Sequence, residues 1–302
     1  MKKFLHILLI FCLPVLLASG TMELLLRHIP NGYTIKSDYL KTNNKSIKTL
    51  LVGSSHVFYG ITPSLLSKKA LNYGNVSQTI DVDYQIINQH IDSLEALETI
   101  VIRLSYTTLF EQLETGDESW RIKDYEIYTD INLDSKLKYH SEVLSVKLKN
   151  NLKRINDFYF LNEHPEFVSN QGWGKHTARE HVQNIDEAGR LIAEKHTIVA
   201  DEVYEENYKT LEKIMDLCQK KDIKVILITM PAFESYVQNL DANQLEKTIS
   251  AGRTMENEFH NCFYFNFLND KRFTRDDFLD ADHLNSRGAE KFTILLDSLI
   301  TN

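Results

Sequence analysis

Ser55, together with the pair Asp280 and His283, offers residue types that could act as one chemical unit. A serine hydroxyl is a poor nucleophile until a base takes its proton, and the base needs a third group to fix its tautomer. The serine lies in Leu50-Leu51-Val52-Gly53-Ser54-Ser55-His56, and the carboxylate and imidazole lie in Asp280-Ala281-Asp282-His283, near the other end of the chain. The chemistry on offer is acyl transfer through a serine ester. Each stretch also has a plain reading alone. Gly-Ser-Ser serves as a helix-capping turn, and an acidic turn suits the start of a helix. Catalysis requires the surrounding elements to bring both to one place.

The apolar run from Ile47 to Val52, stopped at Gly53, reads as a buried strand that delivers Ser55 to its carboxyl end. Thr62 and Pro63 predict a helix start running to about Ala70, followed by a short strand at Ala70 to Tyr73. Ile80, Tyr84, Ile87, Ile91 and Leu94 recur at helical spacing, and Thr99 to Leu104 is a third strand. After a long interval come a helix over 201–221, a strand at Ile223 to Met230 ended by Pro231, and a helix over 241–259. A strand at Phe263 to Phe267 and a helix from Ser286 to Ile300 close the chain. This alternation predicts a doubly wound, flavodoxin-like α/β fold with a five-stranded parallel sheet. In such a fold Ser55 and His283 meet at the carboxyl edge of the sheet, where ligands bind.

The 302 residues divide into segments 1–26, 27–45 and 46–302. The first places Lys2 and Lys3 before an apolar stretch long enough to cross a bilayer, with the lysines on the cytoplasmic side. Ala18-Ser19-Gly20 resembles a signal cleavage site, but the apolar pattern resumes at Leu24-Leu25-Leu26, which favours a retained anchor. Either way the main domain is exported. Residues 27–45 read as a polar connector, and 46–302 as the α/β domain with a largely helical insertion at about 106–200. That insertion holds a helix near 139–159 with Leu144, Leu148, Ile155 and Tyr159 on one face, both tryptophans and five of the eleven histidines. An insertion of this length is usually functional.

A net charge of −8 without a basic stripe excludes a nucleic-acid surface. Cys12 falls in the apolar segment, and Cys218 and Cys262 read as buried thiols. His176 and His181 are five apart, the wrong spacing for a metal pair on one helical face, and no motif calls for a cofactor. Trp120, Trp173 and Tyr236 could stack on sugar rings, although aromatics more often fill cores.

Gly53-Ser54-Ser55-His56 after an apolar strand, and Asp280-Ala281-Asp282-His283-Leu284-Asn285 before a last helix, resemble the first and last blocks of the SGNH/GDSL hydrolase superfamily. The resemblance implies Ser55 as nucleophile, His283 as base and Asp280 as its orienter. Ser54 stands where the family usually has Asp. The family's second block supplies an oxyanion-hole glycine, and the resemblance puts Ser77 at that position with Gln78 as a side-chain donor. Its third block ends in Gly-x-Asn-Asp, whereas this chain has Arg103-Leu104-Ser105-Tyr106, leaving Ser105 as the positional substitute. Loss of one oxyanion donor costs about 10²- to 10³-fold in rate. With its amino-terminal segment, the chain is similar to the membrane-anchored branch containing alginate O-acetyltransferases and the teichoic-acid D-alanylation accessory protein. That similarity implies an acyltransferase or esterase acting on an envelope or exported polysaccharide, beside a membrane-bound O-acyltransferase partner. A non-catalytic glycan-binding or partner-binding scaffold is the third expectation.

Overall fold

Strands form where the apolar runs predict them. In the computed structural model, which describes residues 1–133, 136–163, 167–175, 184–198 and 202–301 but not the side chains of residues 2, 5 and 7–9, the chain opens with helix α1 (Lys2–Arg27) and helix α2 (Gly32–Asn43). Then come β1 (Thr49–Val52), α3 (Ser55–Gly60), β2 (Ala70–Asn72), α4 (Ile80–His90) and β3 (Thr99–Arg103). Short helices follow: α5 (Ile122–Tyr128), α6 (Glu142–Ser145), α7 (Leu148–Tyr159) and α8 (Ile185–His196). The regular pattern returns with α9 (Tyr204–Gln219), β4 (Lys224–Thr229), α10 (Glu234–Val237), α11 (Ala242–Glu258), β5 (Cys262–Asn266) and α12 (Ser286–Thr301). His176, His181 and Asp201 lie outside the described residues.

The chain divides into two units, Met1–Thr34 with Trp120–Pro165 and Ile35–Ser119 with Glu166–Asn302. The second unit holds one all-parallel sheet in the order β2-β1-β3-β4-β5. This is the doubly wound flavodoxin-like order, with the switch point between β1 and β3. Leu50, Leu51, Val52, Ile100, Val101 and Ile102 are all fully or almost fully buried, as parallel strands covered on both faces must be. Helices α4, α9 and α11 pack in sequence beside one another, and α12 packs on α3. Leu51, Val57, Val101, Ile226, Phe292 and Leu296 belong to one apolar cluster, each contributing ~1.5–3 kcal/mol by leaving water. Cys218 and Cys262 are buried free thiols, pushed up to about 12 by burial.

The first unit is built around charged side chains. Glu142 is fully buried and accepts from Lys123 Nζ at 3.1 Å, Tyr128 Oη at 2.6 Å and Arg154 Nη1 at 2.7 Å. Glu23, near the end of α1, accepts from Ser141 Oγ and from the backbone N–H groups of Glu142 and Val143, capping α6. Tyr33 meets Tyr125 edge to face at 5.0 Å. Within α1, Ile10–Arg27 has a mean hydropathy of 1.6 and is long and apolar enough to cross a membrane. Signal sequences and anchors both meet that description.

Three local expectations change. Thr62 and Pro63 start only a single 3-10 turn, Pro63–Leu65, because the Ser67 N–H, which would carry the helix on by donating to the Pro63 carbonyl, donates to Asp297 of α12 instead. The helix expected over 139–159 is broken where Ser141 turns extended to cap α6 and Val146 is extended again before α7. Residues 27–45, read as a connector, contain α2, within which Lys36 is fully buried.

Candidate active site

Gly53 sets the geometry at the end of β1. Its φ of +137° is a left-handed value, and a Cβ there would meet Arg103 Cβ at 2.8 Å and Val57 Cγ2 at 2.9 Å. Only glycine lets the chain turn this sharply against β3. Ser54 then caps α3 and Ser55 is the first residue of the helix. Asn72 at the end of β2 secures α3 from beneath, donating from Nδ2 to the carbonyls of Val57 at 2.7 Å and Ile61 at 3.0 Å.

The base arrives from the other end of the chain on a tight turn. Leu279 N–H donates to the His283 carbonyl, and Phe278 and Leu284 form an isolated bridge. Asp280 Oδ1 accepts the backbone N–H of Asp282 at 3.1 Å and of His283 at 2.8 Å. The same carboxylate meets His283 Nδ1 at 3.0 and 3.2 Å. Asn285 braces the turn, donating to the Asp276 carbonyl and accepting the Gly288 N–H at the start of α12. The result is Ser55 Oγ 2.8 Å from His283 Nε2.

Two carboxylates face this imidazole. Asp282, almost fully buried, places Oδ1 3.2 Å from His283 Nδ1. Burial alone would lower the His283 pKa, but the Asp282 charge and the hydrogen bonds to Asp280 and Asp282 outweigh it and hold the pKa well above the ordinary value. Asp280, although partly desolvated, is held well below the usual carboxylate range by His283. Both carboxylates thus favour the imidazolium that forms once His283 has taken the serine proton.

A second histidine stacks on the first. The His56 and His283 rings lie 4.7 Å apart at 23°. His56 Nδ1 is 3.1 Å from Arg103 Nη1 and 3.1 Å from Ser54 Oγ, and its Nε2 is 3.5 Å from Asp282 Oδ2. A guanidinium can only donate, so Nδ1 is the acceptor and the ring proton sits on Nε2, facing Asp282. Burial, reinforced by His283, Arg103 and His196, pushes the His56 pKa well below 6.5 and keeps the ring neutral. His56, Asp282 and His283 converge closely enough to grip a cation. His283 already spends Nε2 on Ser55 and Nδ1 on Asp280, so a cation ligated there would break the serine's activation.

These groups open onto a cavity of about 610 Å³ in the second unit, lined by Ser55, Ser77, Gln78, Arg103, Glu111, Lys195, His196 and others. Ser77 lines it with a φ of 59°, a left-handed conformation uncommon for serine. Gln78 is buried, with Nε2 donating to Asp83 at 2.6 Å and Oε1 accepting from Asn75 at 2.9 Å, so its amide is largely committed to holding the loop. Ser105 departs from expectation. Its N–H donates to Thr108 Oγ1 at 2.9 Å, and it is absent from the cavity lining; Arg103, two residues earlier, lines the cavity instead. Trp173 and Tyr236 do not line it either: Trp173 donates to the Tyr59 carbonyl, and Tyr236 is buried against His196. Trp120 belongs to the first unit, where the Arg121 guanidinium lies over its ring.

Sequence reasoning missed His56, Asp282, Arg103 and His196. Arg103 carried a signal, a charge ending an otherwise apolar strand, and His56 and Asp282 adjoin the residues that were singled out. His196 lies at the end of α8, a helix not foreseen.

A family model described as "Protein of unknown function (DUF1574)" matches residues 193–299, which take in Asp280 and His283 but not Ser55. No curated protein matches the chain by sequence. Among solved structures, the chain is similar to one described as a platelet activating factor from Streptococcus pneumonia, at 13% identity and a TM-score of 0.43, covering 88% of this chain and 91% of that one. It is also similar to one named as an acylhydrolase from Bacteroides fragilis (12% identity, TM-score 0.40, covering 87% and 94%). A third is a GDSL-like lipase from Bacteroides thetaiotaomicron (11% identity, TM-score 0.40, covering 89% and 98%). A likeness of this extent leaves the reading of the site to its own geometry.

Proposed function

We propose that this protein is an exported, membrane-anchored serine acyl-transfer enzyme that works through an acyl-Ser55 ester. The observation that carries the reading is the Ser55 Oγ to His283 Nε2 distance of 2.8 Å, with Asp280 on the opposite ring nitrogen, opening onto a cavity. In this reading neutral His283 takes the Ser55 proton as Oγ attacks an ester carbonyl. The tetrahedral oxyanion is met by Arg103 and by the backbone at Ser77, and His283 returns the proton to the departing alcohol. A second hydroxyl, deprotonated by His283, then attacks the acyl-serine and restores the free enzyme. If that hydroxyl belongs to a sugar the reaction is transfer, and if it belongs to water the reaction is hydrolysis. We favour transfer of an acetyl or similar acyl group to an envelope or exported polysaccharide, supplied by a membrane-bound O-acyltransferase. The polar lining by Gln112, Thr115 and Lys195, which suits a hydroxyl-rich acceptor, and the sequence resemblance support this choice.

Fluorophosphonate labelling of the full-length protein tests the activated serine before any substrate is known. Labelling should be lost in Ser55→Ala and in His283→Ala, both still folded. A folded parent that does not label would overturn the catalytic reading. Acyl-donor assays with and without sugar acceptors then separate transfer from hydrolysis.

A further inference from the structure

Helix α7 turns its apolar side outward. Leu148, Leu152, Ile155 and Tyr159 recur at i, i+4, i+7 and i+11, the stripe that a water-exposed helix buries. Here Leu148 is 59% and Leu152 53% exposed, and the chain continues into exposed Phe160 and Leu161. The residue that α7 does bury is Asn151, whose Nδ2 donates to the Glu142 carbonyl, and Arg154 reaches in to the Glu142 carboxylate. The polar Asn151 and Arg154 thus face inward while the leucines face outward, the reverse of a helix packed in water.

The neighbouring helix names the medium. In the same unit Tyr159 Oη donates to the Leu25 carbonyl of α1, and Glu23 of α1 caps α6. From Lys3 to Glu23 a helix rises ~30 Å at 1.5 Å per residue, the thickness of a bilayer's hydrocarbon core. Glu23, and with it the start of α6, then lies where α1 leaves the bilayer, and Tyr159 ties the end of α7 to the same turn of α1. Residues 137–161 carry five Lys and Arg against two acids, in a chain of net charge −8, and Lys147 and Lys149 are exposed beside the stripe. Leucine and aromatic side chains on one side with lysines beside them mark a helix lying in an anionic membrane surface.

We infer that α7 is an interfacial helix, seating Leu148, Leu152 and Tyr159 among the acyl chains of an anionic lipid bilayer at the point where α1 emerges. This rests on the anchor reading of α1 but not on the catalytic reading. The test uses full-length protein in vesicles of phosphatidylcholine and phosphatidylglycerol, with a nitroxide at Leu152→Cys in a Cys12→Ser background, the other two cysteines being buried. Matching labels go at Asn150→Cys, on the opposite side of α7, and at Leu16→Cys in α1. Collisions with lipid-soluble oxygen should exceed those with a water-soluble nickel chelate at 152 and 16, with the reverse at 150. Nickel access at 152 equal to that at 150, with 16 in lipid, would overturn the inference and spare the anchor. Shielding of 152 from both reagents would mean that protein covers the stripe, and would overturn it too. Nickel access at 16 would sink the anchor reading and this one together.

Discussion

Asp280 and Asp282 share one imidazole nitrogen, and the consequence is measurable. Asp280 reaches His283 Nδ1 at 3.0 and 3.2 Å, and Asp282 at 3.2 Å. A hydrogen bond to a charged group is worth about 1.5–3 kcal/mol, or about 10- to 150-fold in rate if it is lost only in the transition state. Removing the orienting carboxylate of a serine-protease triad costs about 10⁴. Asp280→Asn or Asp282→Asn alone should therefore lower the fluorophosphonate labelling rate by about 10- to 100-fold, because one carboxylate remains, and the double variant should approach 10⁴. Asparagine oxygen can still accept the backbone N–H groups of Asp282 and His283, so the turn should survive. The comparison belongs on the alkaline plateau. Both carboxylates raise the His283 pKa, so labelling should climb as pH rises through that elevated value, and either substitution should move the climb to lower pH. A full 10⁴ loss in Asp280→Asn alone would refute the sharing. A larger loss in Asp282→Asn than in Asp280→Asn would transfer the orienting role to Asp282.

Other consequences follow from the same geometry. Arg103→Met should lower the labelling rate by about 10²- to 10³-fold if Arg103 meets the oxyanion, and an unchanged rate would remove it from the mechanism. Asp83 is raised from 3.8 to about 7, chiefly by burial. Folded protein therefore holds a proton that unfolded chain has released, and this contribution is full below pH 3.8 and falls by up to about 4 kcal/mol as pH rises to about 7. Asp83→Asn should gain on the parent in melting temperature across that window, and a pH-independent difference would count against the shift. Glu142→Ala leaves Lys123 and Arg154 facing an emptied buried site and should cost the first unit about 3–5 kcal/mol, read by hydrogen exchange in α5 and α7. Protection equal to the parent's would show the network to be dispensable.

Short local patterns were enough for the strands, for the parallel order they imply, and for picking out Ser55, Asp280 and His283, which the fold brings within hydrogen-bond distance. Each rests on a pattern carried within a few neighbours: an apolar run stopped by Gly53, a carboxylate and an imidazole on one turn, a proline ending β4. Tertiary structure decided what depends on partners distant in the chain. Position along the chain pointed to Ser105, but pairing β3 with β1 and β4 aims Arg103 at His56 and leaves Ser105 bonded to Thr108. The spacing of Leu148, Ile155 and Tyr159 gives a stripe but not its direction. That direction follows from the Glu142 network, which draws Asn151 and Arg154 inward and turns the leucines out, because an unpaired buried charge costs more than an exposed apolar side chain.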